Sequence, residues 1–159
     1  METSSQQVQA FFIEQLNSLY CAEAHLVERL EEINDEPAFA ALTSTIKNAI
    51  ISSERKSKLL DQIFAALDVT YNFDNCAGLI SFLEDSFTSF RQYTDMPYLS
   101  YMLILSYLQN VKSTRMNSCR LLRLLSEKLY RPEITILINQ ICEDGDNVLN
   151  DELMSLYSA

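Results

Sequence analysis

Apolar residues return every three or four positions through several long stretches of this chain, and that spacing commits it to helices packed side by side. Between Gln6 and Ile33 the stripe reads Val8, Phe12, Leu16, Leu19, Leu26, Leu30 and Ile33. At 3.6 residues per turn these side chains fall on one face of one helix. The mean step is close to 3.5, the spacing of bundle seams that cross at about 20°. Two glycines and three prolines in 159 residues are too few for the frequent turns of a sheet protein.

The breaks between stretches divide the chain into five helices. "NDEP" (34–37) ends the first, with Asp35 a candidate N-cap and Pro37 at an early position of the next. The second helix runs to about Leu67, with Phe39, Leu42, Ile46, Ile50, Leu60, Phe64 and Leu67 inward. "DVTYNFDN" (68–75) is a turn-rich crossover to a shorter helix, about Ala77 to Tyr93, apolar at Leu79, Phe82, Leu83, Phe87 and Phe90. "TDMP" (94–97) starts a helix from Pro97 to Leu129, and "YRPE" (130–133) starts one that continues to about Tyr157. Residues 1–5 read as a polar tail, and 1–159 as a single domain. The expected fold is all-α: two antiparallel helix pairs forming a ferritin-like four-helix bundle, with an extra short helix in the long crossover.

Charge and composition exclude several function classes. Twelve basic against 22 acidic residues give a formal charge of −10. Such a surface repels phosphates and anionic lipid, so no nucleic acid and no membrane is expected as a partner; a basic protein is the class it admits. The most apolar stretch, "YLSYMLILSYL" (98–108), is too short to span a bilayer, and no signal-peptide pattern opens the chain. A soluble, cytoplasmic protein is the expectation. Cys21, Cys76, Cys119 and Cys142 form no CxxC pair and are expected to be reduced, small apolar fillers. Gly78 and Gly145 are the only glycines, so no phosphate-cradling loop exists. The single histidine, His25, lies roughly 200° around the helix from Glu23 and is expected on the outer face, which leaves no nucleophile–base arrangement. Tyr98, Tyr101 and Tyr107 are expected in core or dimer packing, and Arg120 and Arg123 on a solvated face. Phe73, Phe82, Phe87 and Phe90 are candidates for packing on the bundle or a second subunit, and a homodimer is expected.

Three charges break the apolar seams. Glu23 falls on the beat between Leu19 and Leu26. The seam of the 97–129 helix reads Tyr101, Leu105, Leu108, Lys112, Arg115, Cys119, Leu122, Ser126 and Leu129, in steps of four and three. Lys112 and Arg115 therefore point inward, at about the height of Glu23. Two fixed cations there would oppose a metal ion by several kcal/mol at an effective dielectric near 20.

"FFIEQLNSLYCAEAHLVERL" (11–30) resembles the first helix of the YciF-like stress proteins, ferritin-like bundles often described only as a domain of unknown function. Phe12, Leu16, Leu19, Tyr20, Ala22, Glu23 and Leu26 carry the likeness, which continues through "LLDQIF" (59–64), "AGLI" (77–80), "LLSEKL" (124–129) and "LNDELMSL" (149–156). The resemblance implies a bundle that can hold two metal ions on inward acids, iron or manganese among them. Glu23 matches the first ligand position and Glu54 the second, but Ile51 stands where the family usually has an acid. "KSTR" (112–115) puts Lys112 and Arg115 where acids are usual. Asp144 and Asp146 fall in the family's acidic run, which Gly145 interrupts, and Asn150 replaces a later acid.

The expectation is a degenerate centre without metal, catalytic residue or cofactor. Glu23, Glu54, Asp144 and Asp146 would meet Lys112 and Arg115 in a buried ion-pair network. The chain would then serve as a non-catalytic, stress-associated structural or protein-interaction module. The alternative is a di-iron or di-manganese oxidase, or an iron-binding protein, with a reduced site on Glu23, Glu54 and Asp146.

Overall fold

The computed structural model describes residues 3–143. Five α-helices follow in order: α1 (Ser5–Ile33), α2 (Thr43–Ala66), α3 (Ala77–Thr88), α4 (Pro97–Leu129) and α5 (Pro132–Cys142). Short 3-10 helices precede α2 (Pro37–Leu42) and follow α3 (Ser89–Tyr93), and no strand occurs among the described residues. None of the described helices is long and apolar enough to cross a membrane.

Local chemistry sets the boundaries. Ser4 and Gln7 form a capping box: Ser4 Oγ accepts from the Gln7 N–H at 3.2 Å, and Gln7 Oε1 accepts from the Ser4 N–H at 2.9 Å. Pro37, Pro97 and Pro132 each stand in the first turn of a helix, where the missing N–H costs nothing. The Asp35 cap expected from the sequence is not formed; Glu36 precedes the 3-10 helix and makes no side-chain cap bond. With so few glycines, other residues take the left-handed ends: Asp68 (φ 54°) after α2 and Tyr130 (φ 53°) after α4. At Asp68 the turn is closed by Val69 N–H to Phe64 C=O and Asp68 N–H to Ala65 C=O, each 3.1 Å.

α1 packs on α2 and α4, and α5 packs on the same two, so four helices close a ring. One buried cluster joins Leu30 and Ile33 to Ile46 and Ile104; the other joins Phe12 and Leu16 to Ile63 and Leu122. α1 therefore runs antiparallel to both α2 and α4. α3 lies outside the ring, against α1 and α4. Its Leu83 and Phe87 are buried, while Phe82, on the opposite side, is half exposed. As a result α1 is covered on two faces, one by the bundle and one by α3. The two apolar clusters do not merge, and a charged layer separates them.

Candidate functional site

Glu23 sits in that layer with no solvent exposure. A leucine there would contribute roughly 1.5–3 kcal/mol by burial, so the acid forgoes that and requires partners. Arg115 supplies a fork: Nε donates to Glu23 Oε1 at 2.6 Å and Nη2 to Oε2 at 3.1 Å. Ser53 Oγ donates to Oε2 as well, from α2. Three helices thus converge on one carboxylate through charge-assisted, bidentate bonds.

Two lysines complete the layer. Lys112 lies one turn before Arg115 on α4, and Lys56 one turn after Ser53 on α2; both are buried. Neither they nor Arg115 lacks further partners. Of the expected group, the structure therefore brings together Glu23 and Arg115, with Lys112 in the same layer. Glu54 departs from it: it is exposed, in a groove between α1 and α2. Asp144 and Asp146 lie outside the described residues. Ile51, at the usual acid position, is 64% exposed and faces away from the layer. Ser53 and Lys56 are the inward α2 residues instead.

A second polar cluster lies on the opposite face of α1. His25 is buried, not exposed as its position opposite Glu23 suggests, because α3 covers that face. His25 Nε2 is 2.8 Å from Glu84 Oε2, and Nδ1 is 2.8 Å from the Tyr107 hydroxyl. A carboxylate only accepts, so Nε2 carries a proton; in the neutral ring Nδ1 then accepts from Tyr107. Burial raises the Tyr107 phenol well above its usual range and keeps it protonated. Arg29 Nε donates to the same Glu84 oxygen at 2.8 Å. The cluster ties α3 to α1 and α4 by side chains alone.

Partial burial works to raise the Glu84 carboxyl, but the bonds from Arg29 and His25 outweigh it and hold the group below the usual carboxylate range. A depressed folded value means its stabilisation is complete above the unfolded value, about 4.3, and is lost as pH falls through the folded one. We expect Glu84→Gln to lower the melting temperature by a constant amount above about pH 5. That gap should narrow as the pH falls below the unfolded value and through the depressed folded one. A gap unchanged across a thermal-denaturation pH series would show that the charge of Glu84 is not what matters.

The cysteines depart from the expectation of four reduced thiols. Cys119 of α4 and Cys142 of α5 form a disulfide, with Cα atoms 5.8 Å apart. Their helices pack as an antiparallel hairpin, so seam positions 23 residues apart in sequence come face to face. Cys21 and Cys76 are free and buried beside each other; burial and the neighbouring sulfur push the Cys21 thiol up to about 12. A thiol so rarely ionised is a poor nucleophile.

A family model described as a domain of unknown function, DUF892, matches residues 7–155. No curated protein and no solved structure matches the chain.

Proposed function

We propose a function for a chain that belongs to the DUF892 family, the family of the YciF-like proteins: a ferritin-like bundle whose di-metal centre has been replaced by fixed side-chain cations. The observation that carries this reading is the Arg115 fork on Glu23, completed by Ser53. Two divalent ions bring four positive charges that inward carboxylates must bridge and neutralise. Glu23, the one fully buried acid among the described residues, already accepts three bonds, and Lys56, Lys112 and Arg115 share its layer. Among the described residues no three His, Cys, Asp or Glu side chains gather as a ligand set. The described donors, one carboxylate among three cations, do not suit a metal pair.

On this reading the module acts by protein contact, as a cytoplasmic homodimer or with a protein partner, in a stress-associated role that rests on the family resemblance alone. Anaerobic loading with ferrous iron, desalting and elemental analysis test it. We expect well under one iron per chain and no oxygen consumption above the buffer rate. Stoichiometric iron with oxygen-dependent turnover would instead make the chain a di-iron oxidase.

A further inference from the structure

The outer surface between α1 and α2 is cut by a groove of about 540 Å³. Its floor is Tyr20, Ala24 and Val27 of α1. Just beyond the lining, exposed Ile51 of α2 stands one turn before Glu54 on the same helix face and adds apolar surface at that end. Glu28 and Glu31 stand on one side, and Glu54 and Asp61 on the other, with Lys58 the one base of the lining. At the Asp61 end Tyr20 stacks on Tyr71, rings 4.8 Å apart and 10° from parallel. Tyr71 also has Phe73 5.3 Å away and is still 54% exposed, which leaves an aromatic surface at the groove's end where a cation can rest.

From this groove we infer a docking site for a basic amphipathic helix of a partner protein, its apolar side on Val27 and Ile51 and its lysines or arginines on the acidic rims and Tyr71. The inference rests on the protein-interaction reading above and gives that module its surface. Two parallel-sided helices with a shallow apolar strip between them form the seat that a third helix fills with residues spaced three and four apart. Charge selects among occupants. A second copy of this chain, at −10, would bring like charge to the rims, and nucleic acid or anionic lipid would do the same. A basic helix alone satisfies both the strip and its borders.

The test uses the full chain and two synthetic 18-residue amphipathic helices that share a leucine face, one with lysine and arginine on its polar face and one with glutamate. Binding is read by fluorescence anisotropy at low and at physiological salt, and its location by amide chemical-shift mapping. We expect the basic peptide to bind, with shifts confined to the outer faces of α1 and α2 and the segment around Tyr71. The triple change Glu28→Gln, Glu31→Gln and Glu54→Gln should weaken it at least tenfold. Ile51→Ser should weaken it several-fold even at physiological salt, where general charge attraction is largely screened. Equal weakening by Glu14→Gln, Asp85→Asn and Asp95→Asn, away from the groove, would reduce the effect to net charge and overturn the site. So would equal binding of the acidic peptide, no binding at all, or sedimentation showing that the groove changes dissociate a dimer. Iron loading separates this inference from the reading beneath it. A metal-free chain that ignores the peptide loses only this surface, whereas stoichiometric iron removes the reading itself.

Discussion

Arg115→Leu is expected to cost about 3–5 kcal/mol of folding stability, read from urea denaturation at neutral pH. The change removes two charge-assisted bonds from a carboxylate that has no water to turn to. At this chain length the loss corresponds to a fall of roughly 6–20 °C in melting temperature. The pair is not expected to be worth that much in itself. Replacing both members, as Glu23→Leu with Arg115→Leu, should recover part of the loss, because the apolar pair itself needs no counter-charge while Lys56 and Lys112 remain buried in the layer. Arg115→Lys should fall between, keeping the charge and losing the fork. A single-variant cost under about 1 kcal/mol would mean that Glu23 is held by something other than Arg115.

Much of this arrangement is legible in the sequence because a helix seam is a one-dimensional code. Steps of four and three along 101–129 place Leu105, Lys112, Arg115 and Leu122 on one buried face, and the structure buries all four. The same counting marks Glu23 as inward, and the breaks at "TDMP" and "YRPE" set the limits of α4 at Pro97 and Leu129. On α2 the counting was available, since Ile46, Ile50, Ser53, Lys56, Leu60 and Ile63 step by four and three. Matching Glu54 to a family ligand position led one residue away from that seam, to an exposed acid. A register error of one residue turns a side chain by about 100°.

His25 failed for a different reason. A periodicity names the faces of a helix but not what lies against each of them. Once the crossover helix covers the outer side of α1, two faces are interior, and Cys21, His25 and Arg29, spaced four apart, become a second polar seam. Glu84 and Tyr107, which answer it, are 59 and 82 residues away from His25. The cysteine pairing has the same character: it follows from how α4 and α5 fold back on each other, not from spacing along either helix.

That pairing makes the second large prediction. The Cys119–Cys142 bridge closes a loop of 23 residues, for which the chain-entropy account gives about 3 kcal/mol of stabilisation through the unfolded state. Cys119→Ser, Cys142→Ser or added reductant should each remove about that amount, and reductant should have no further effect on either variant. Cys21→Ser and Cys76→Ser should remain sensitive to reductant, because they leave the bridge intact. Thiol counting gives a direct check. The denatured, oxidised chain should alkylate at two cysteines without reductant and at all four with it. Four reactive thiols in freshly purified, unreduced protein would show that the α4–α5 hairpin is held by packing alone. The bridge also bears on where the chain works, since a glutathione-buffered compartment favours the dithiol unless the folded hairpin holds the sulfurs together. Equilibrating the folded chain in glutathione buffers of graded potential measures that hold. A midpoint below about −300 mV would let the bridge persist even in a reducing cytoplasm.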